Sequence, residues 1–340
     1  MNKIIGDNNT ILLNNLLNQG DEIMNIGFLT KWSSSLKWSD SIKQFTGNIV
    51  GEELYAGSLC RELMQIKGVN SAQVYTPDFH PAVKLDVMIH FNDTLPIPTV
   101  RKNILYIQNF YVEGSDVVLR KLQQTGYDGY IFFSQRLLEI HQQAGFTGIF
   151  LPLAADTNIF KPQAPNPKYE YDVVYVGNDI KGEERTIRYI YPAMQYNFGL
   201  FGNWQPTWHH FSHNDILGKI SQGSITREEA AAVYSSAKII LNFTAQDSIY
   251  WDALNLRFFE AMACKGFLIS DKVPSAEREL KDCVVFTDGY DDSIKKIDYY
   301  LSRPRERNEF AENGYQYVLQ HATAQARAHQ LYDYIQEILS

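Results

Sequence analysis

From residue 24 onward the chain repeats one unit: a short apolar run, a stop at polar residues or glycine, then an amphipathic stretch. Short apolar runs without alternation read as strands buried on both faces. Strands that alternate with helices build a parallel sheet covered on both sides. In the first half the runs are Ile26–Thr30, Ala72–Tyr75, Asp86–Phe91, Ile104–Gln108, Tyr130–Ser134 and Gly148–Leu151. Apolar spacing predicts helices over about 49–67, 115–124 and 135–144. A second series follows, with Tyr171–Val176 stopping at Gly177-Asn178, Asn197–Phe201 at Gly202, Lys238–Thr244 ending in polar groups, then Phe267–Ile269 and Cys283–Phe286. Between the two series stand Pro162, Pro165 and Pro167, which stiffen a connection and block strand pairing, so the domain boundary falls there. A chain of 340 residues is long enough for two domains of ordinary size.

In covered parallel sheets ligands sit beyond the carboxyl ends of the strands. The third run stops at His90-Phe91-Asn92-Asp93, the fourth at Gln108-Asn109 and the fifth at Ser134-Gln135. Each stop supplies hydrogen-bonding groups, as a floor for a polar ligand requires; each is equally an ordinary polar strand end. The loop after the first run, Lys31–Asp40, carries Trp32 and Trp38. It reads as a cover that stacks on a ligand, or as a surface loop with its tryptophans packed inward. His209 and His213 would share a helix face, but no acid or cysteine stands beside them and a metal site is not expected.

Net charge is −8, which argues against nucleic acid and against strong attachment to anionic membranes. No apolar run approaches the ~18 residues of a spanning helix. Cys60, Cys264 and Cys283 form no close pair, which fits a reducing cytoplasm, and the first residues lack the apolar core of a secretory signal. Residues 1–23 read as an N-terminal extension whose Ile11–Leu17 segment is amphipathic.

The densest information lies in Trp251–Ser270, a polar loop, a short apolar helix, a glycine and a strand. Asn255 is placed to cap the helix and Gly266 to leave it in a left-handed conformation. Arg257 falls in the first turn, where the helix dipole disfavours a cation. An anion bound at that N-terminus would account for it; a capped helix with a solvated arginine is the plainer reading.

Asp252 and Glu260 are acids with seven residues between them, and Glu260-Ala261-Met262-Ala263-Cys264 follows. This stretch resembles the C-terminal signature of retaining glycosyltransferases of the GT-B fold, in the "glycosyl transferases group 1" branch that includes CgeB-like proteins. Two positions depart from that pattern: the first acid is Asp252 rather than Glu, and Lys265 stands where the family has glycine. Leu151–Pro162 resembles the family's crossing between domains, with Ala155 in place of its glycine, and Lys181-Gly182 matches part of its phosphate-binding turn. The likeness covers 150–340 closely and 24–150 loosely.

The resemblance implies an α/β chain of two doubly wound Rossmann-like domains facing a cleft. Residues 24–160 would form the acceptor-side domain and 168–320 the nucleotide-sugar-binding domain, with 321–340 as a helix packed back on the first. It implies sugar transfer from a nucleotide-sugar donor to a glycan, lipid-linked glycan or protein, with retention and without metal or other cofactor. Glu260 would hold the donor ribose, and Asp252 would orient the donor sugar or stabilise positive charge at its anomeric carbon. Gly177, Asn178, Lys181, Arg185, Asn255, Leu256 and Arg257 would meet the diphosphate. His90 would hydrogen-bond the transferred sugar, and Trp32, Asn92, Gln108 and Asn109 would contact sugar or acceptor. Two other readings stay open: a nucleotide-sugar epimerase of the same fold, and a non-catalytic scaffold of an envelope or spore coat.

Overall fold

A computed structural model of the protein describes residues 23–30, 51–76, 84–91, 94–108, 122–204 and 215–340. The expected helix in residues 1–23, the loop with Trp32 and Trp38, Asn92, Asn109, most of the helix expected at 115–124 and the histidines at 209–213 lie outside them.

The first sheet contains β1 (Met24–Leu29), β2 (Val69–Tyr75), β3 (Val87–Phe91), β4 (Lys102–Ile107), β5 (Gly129–Phe132) and β6 (Ile149–Phe150). Every pairing is parallel and the order is β2-β1-β3-β4-β5-β6. All residues of β3 are buried, as the uninterrupted apolar run requires. Helices α1 (Gly51–Leu63) and α2 (Gln135–Gln143) connect these strands. The helix expected at 49–67 is shorter because the chain turns at 64–68 to enter β2.

The second sheet contains β7 (Val173–Val176), β8 (Phe198–Phe201), β9 (Ile239–Asn242), β10 (Leu268–Ser270) and β11 (Val284–Phe286), all parallel, in the order β11-β10-β9-β7-β8. Its helices are α3 (Glu183–Tyr189), α4 (Asp215–Ile220), α5 (Arg227–Ser236), α6 (Gln246–Tyr250), α7 (Leu256–Ala263), α8 (Pro274–Glu279), α9 (Tyr290–Leu301), α10 (Pro304–His321) and α11 (Ala324–Leu339). Two apolar clusters, one around Val174, Ile240 and Met262 and one around Tyr175, Leu241 and Ile297, cover the sheet's opposite faces. Such a sheet is doubly wound. No helix among the described residues is long and apolar enough to cross a membrane.

Helix ends follow local chemistry. Thr226 and Glu229 form a reciprocal capping box on α5, and the Asn255 side chain accepts from Arg257 N at 3.1 Å to cap α7. The exit of α7 differs from expectation. Lys265, not Gly266, takes the left-handed conformation, with φ 56°. Gly266 is required for space instead, since a Cβ there would lie 2.2 Å from Ile240 Cδ1.

Two segments tie the halves together. Helix α11 packs on the first sheet through Ala328, Leu331, Tyr334 and Ile335, spaced three and four apart. Its start pairs with the crossing strand, Ala155 N donating to Ala322 O and Ala324 N to Ala155 O. Trp251 and Ala253 leave the second domain and are buried in the apolar core of the first. Ser134 Oγ caps α2 and also donates to Trp251 O, while Arg136 donates to Tyr250 O at 2.6 Å and lies over the Tyr250 ring. Ser134 therefore serves the domain junction rather than a ligand-binding floor.

Candidate functional site

In the second sheet the strand order reverses between β7 and β9, and ligands of doubly wound sheets bind beyond the strand ends at that point. Arg257 reaches into this position from the first turn of α7. Its Nε donates to Val176 O at 2.6 Å, one terminal nitrogen donates to Asn242 Oδ1 at 2.8 Å, and the guanidinium lies 4.4 Å from the Tyr175 ring centre. Gly177 makes room for it: a Cβ there would sit 2.2 Å from the other terminal nitrogen. The arginine is thus held by the ends of β7 and β9 together, which explains a cation where the helix dipole opposes one. Asn255 uses its side-chain oxygen on Arg257 N, so the Leu256 N–H is left without an acceptor among the described residues.

Two more cations converge there. Arg185, on α3, donates to Thr244 O at 2.5 Å and to Gln246 at 3.2 Å and is ion-paired with the buried Asp271. Burial raises the Asp271 carboxyl above its ordinary value, against the pull of Arg185 and two bonds from Thr244. Lys181 makes no hydrogen bond or ion pair with a described residue. Burial, then the charges of Arg257 and Arg185, hold its ammonium down at about 8, with Asp271 opposing. Three cations thus converge on the strand-order reversal, with the Asp271 carboxylate paired to Arg185. Among the described residues no cluster of three His, Cys, Asp or Glu is arranged to hold a metal.

Glu260 is one turn further along α7. Its carboxyl is half-buried and has no hydrogen-bond partner among the described residues. Burial pushes it above its ordinary value, more than the charges of Arg227 and then Arg257 pull it down. A carboxyl group without a protein partner is free to hydrogen-bond hydroxyl groups.

The other expected residues fall elsewhere. Asn178 is exposed in the turn after β7 and accepts from Asn203 N at 2.8 Å, shaping the turn. Leu256 packs its side chain against the first domain's core. Gln108 is buried at the end of β4. Two expectations are corrected. Asp252 adopts φ 55°, and its Oδ1 accepts from Ser275 N at 2.6 Å while Oδ2 pairs with Arg278 at 3.1 Å. Its carboxylate is engaged in anchoring the start of α8. His90 is fully buried; Nε2 meets Asn103 Oδ1 at 2.8 Å and Nδ1 meets Thr94 Oγ1 at 3.0 Å. No ring nitrogen is left for a sugar. Trp32, Asn92 and Asn109 are outside the described residues. Sequence reasoning missed Arg227, Asp156 and Ser58, which meet at the domain junction; the one available signal was a cation at the first position of a capped helix.

Residues 184–333 match the family model described as glycosyl transferase-like. A search of the curated proteins found no match. Among solved structures, sucrose-phosphate synthase from Thermosynechococcus elongatus is similar, with a TM-score of 0.64 at 12% identity over 93% of this chain and 99% of that one. Anabaena HepE, solved with UDP and glucose, has a TM-score of 0.63 at 13% identity over 92% and 99%. T4 phage BGT, solved with its UDP-glucose substrate, has a TM-score of 0.60 at 14% identity over 93% and 100%. At these identities the likeness shows the fold.

Proposed function

We propose, for a chain with the GT-B fold whose residues 184–333 match the glycosyl transferase-like family, that the cleft binds a nucleoside-diphosphate sugar and the protein transfers the sugar to an acceptor hydroxyl with retention. The observation that carries this is the convergence of Lys181, Arg185 and Arg257 at the strand-order reversal, one helical turn from the unpartnered carboxyl of Glu260. The diphosphate lies against Lys181, Arg185, Arg257 and the Leu256 N–H. As the anomeric carbon–oxygen bond breaks, negative charge grows on the leaving diphosphate, and these fixed donors stabilise it with little reorganisation. Glu260 accepts from the ribose hydroxyls. UDP is the first candidate, because HepE and BGT were solved with UDP or UDP-glucose. The acceptor is a glycan, a lipid-linked glycan or a protein.

The test is a thermal-shift panel of UDP, GDP, dTDP, ADP and CMP on the wild type and on Glu260→Ala. A ligand that binds only the folded state raises its melting temperature. Stabilisation by one nucleotide, lost in the variant, supports the donor site; no shift with any of them overturns it. The engagement of Asp252 and His90 in structural contacts favours a second reading, a nucleotide-binding relative that does not turn over. Release of UDP from UDP-sugars in the presence of acceptors separates the two.

A further inference from the structure

Asp271 stands one residue past the end of β10 and is fully buried. Four donors meet its two carboxyl oxygens. Oδ2 accepts from Thr244 N at 2.9 Å and is paired with Arg185, whose side chain is 11% exposed. Oδ1 accepts from Thr244 Oγ1 at 3.1 Å and from Ser270 Oγ at 3.2 Å. A backbone N–H and a guanidinium can only donate, so no proton fits on Oδ2. The two hydroxyls at Oδ1 could point either way on their own, but their direction is fixed from outside.

Each hydroxyl has an amide behind it. Asn242 Nδ2 donates to Ser270 Oγ at 3.0 Å, and Asn255 Nδ2 donates to Thr244 Oγ1 at 3.4 Å. Which end of each amide faces the hydroxyl is set by an obligate donor on its far side. Asn242 Oδ1 accepts from Arg257 Nη1 at 2.8 Å, and Asn255 Oδ1 accepts from Arg257 N at 3.1 Å. Both amides therefore turn their NH2 groups to the hydroxyls, and both hydroxyls direct their own protons at Asp271. An ionised Asp271 satisfies every donor in this arrangement. Two relays leave it. One runs through Ser270 and Asn242 to the Arg257 guanidinium, the other through Thr244 and Asn255 to the cap of α7. Asn242, Thr244 and Ser270 are all buried, so a partner lost along either relay is not replaced by bulk water.

We propose that Asp271 is a positioning residue for the diphosphate: one buried carboxylate sets the hydrogen-bond direction of both relays and so fixes Arg185, the Arg257 guanidinium and the first turn of α7 relative to one another. This rests on the reading of that site as the diphosphate pocket. The charge of Asp271 opposes an anion, so by charge alone the site would bind a diphosphate more tightly without it. Its contribution is orientation, which has the opposite sign.

The experiment measures UDP affinity by calorimetry in the full-length protein and in two variants. Asp271→Asn keeps the shape and removes the charge. With its oxygen on Thr244 N and Arg185, its NH2 meets both hydroxyls, each of which then faces two donors and has no acceptor for its own proton. UDP binds this variant about tenfold more weakly, although a negative charge has left the site. Ser270→Ala changes no charge, cuts one relay and leaves Arg185 paired; UDP binds it about fivefold more weakly. In parallel, 15N NMR of arginine-labelled protein follows rotation of the terminal guanidinium nitrogens, with Arg185→Lys and Arg257→Lys for assignment. In Ser270→Ala the Arg257 nitrogens rotate about fivefold faster and those of Arg185 are unchanged. UDP that binds Asp271→Asn as tightly as the wild type, or more tightly, overturns the proposal. So does Arg257 rotation unchanged in Ser270→Ala, or UDP affinity unchanged in that variant when the wild type binds UDP; these two readouts decide alone if Asp271→Asn does not fold. If rotation responds as stated and the wild type binds no nucleotide of the panel, the relay stands and the diphosphate reading falls.

Discussion

Acidification destabilises the protein through His90. Burial lowers this imidazole to about 4, from an ordinary value of 6.5. The sign follows from which state takes up the proton. As pH falls through about 6.5 the unfolded chain protonates this residue while the folded chain does not, so stability is lost from there down to about pH 4. Below about 4 both states are protonated and the loss is complete. A separation of that size amounts to about 3 kcal/mol in full, of which about 2 kcal/mol is lost by pH 5. His141, also buried and lowered, adds to the loss in the same direction. The assay is urea unfolding at about pH 7 and about pH 5, with His90→Gln as the control. Glutamine occupies similar space and does not titrate. The variant is weaker at neutral pH but loses less on acidification, by about 2 kcal/mol. Equal acid sensitivity in the two proteins, or an imidazole that titrates near 6.5 in the native protein, refutes the reasoning.

On the proposed donor-binding reading, Lys181 sets an alkaline limit for UDP binding. Burial and its neighbours hold its ammonium at about 8, a bound diphosphate favours the charged form, and affinity therefore falls above that pH; calorimetric titration of UDP shows the fall in wild type and not in Lys181→Met. Gly177→Ala places a Cβ 2.2 Å from an Arg257 nitrogen and 2.9 Å from Tyr175 Oη, so the guanidinium shifts and the thermal shift with UDP is lost. Trp251→Ala empties an indole site in the first domain's core and costs about 3–5 kcal/mol in urea unfolding, although the residue belongs to the second domain's chain segment.

Much of this structure is legible in the sequence where the determinants are local. The alternation of apolar runs and helices, the caps at Thr226 and Asn255 and the polar stops at strand ends depend on residues a few positions apart. What is hidden depends on partners far along the chain. His90 reads as a strand-end ligand until Asn103 and Thr94 are seen to occupy its nitrogens. Asp252 reads as the first acid of a pair until Ser275 and Arg278 claim it. Ser58, Asp156 and Arg227 come from three elements and carry no pattern that spacing could reveal. Lys265 shows the opposite case. The left-handed exit of α7 persists there without glycine, and its ammonium pairs with Glu312 at 2.6 Å and lies over Tyr315, contacts that help a side chain sit in a costly conformation.

The burial of Trp251 in the opposite core, together with the return of α11, bears on how such a chain can be re-engineered. The half built on the second sheet is not an exchangeable cassette. A graft that joins relatives only at the proline-rich crossing would strip one half of an indole and a helix face, and leave the other with an exposed apolar tail. A working chimera has to carry the recipient's own versions of 250–253 and 324–339, so the seams number four rather than one.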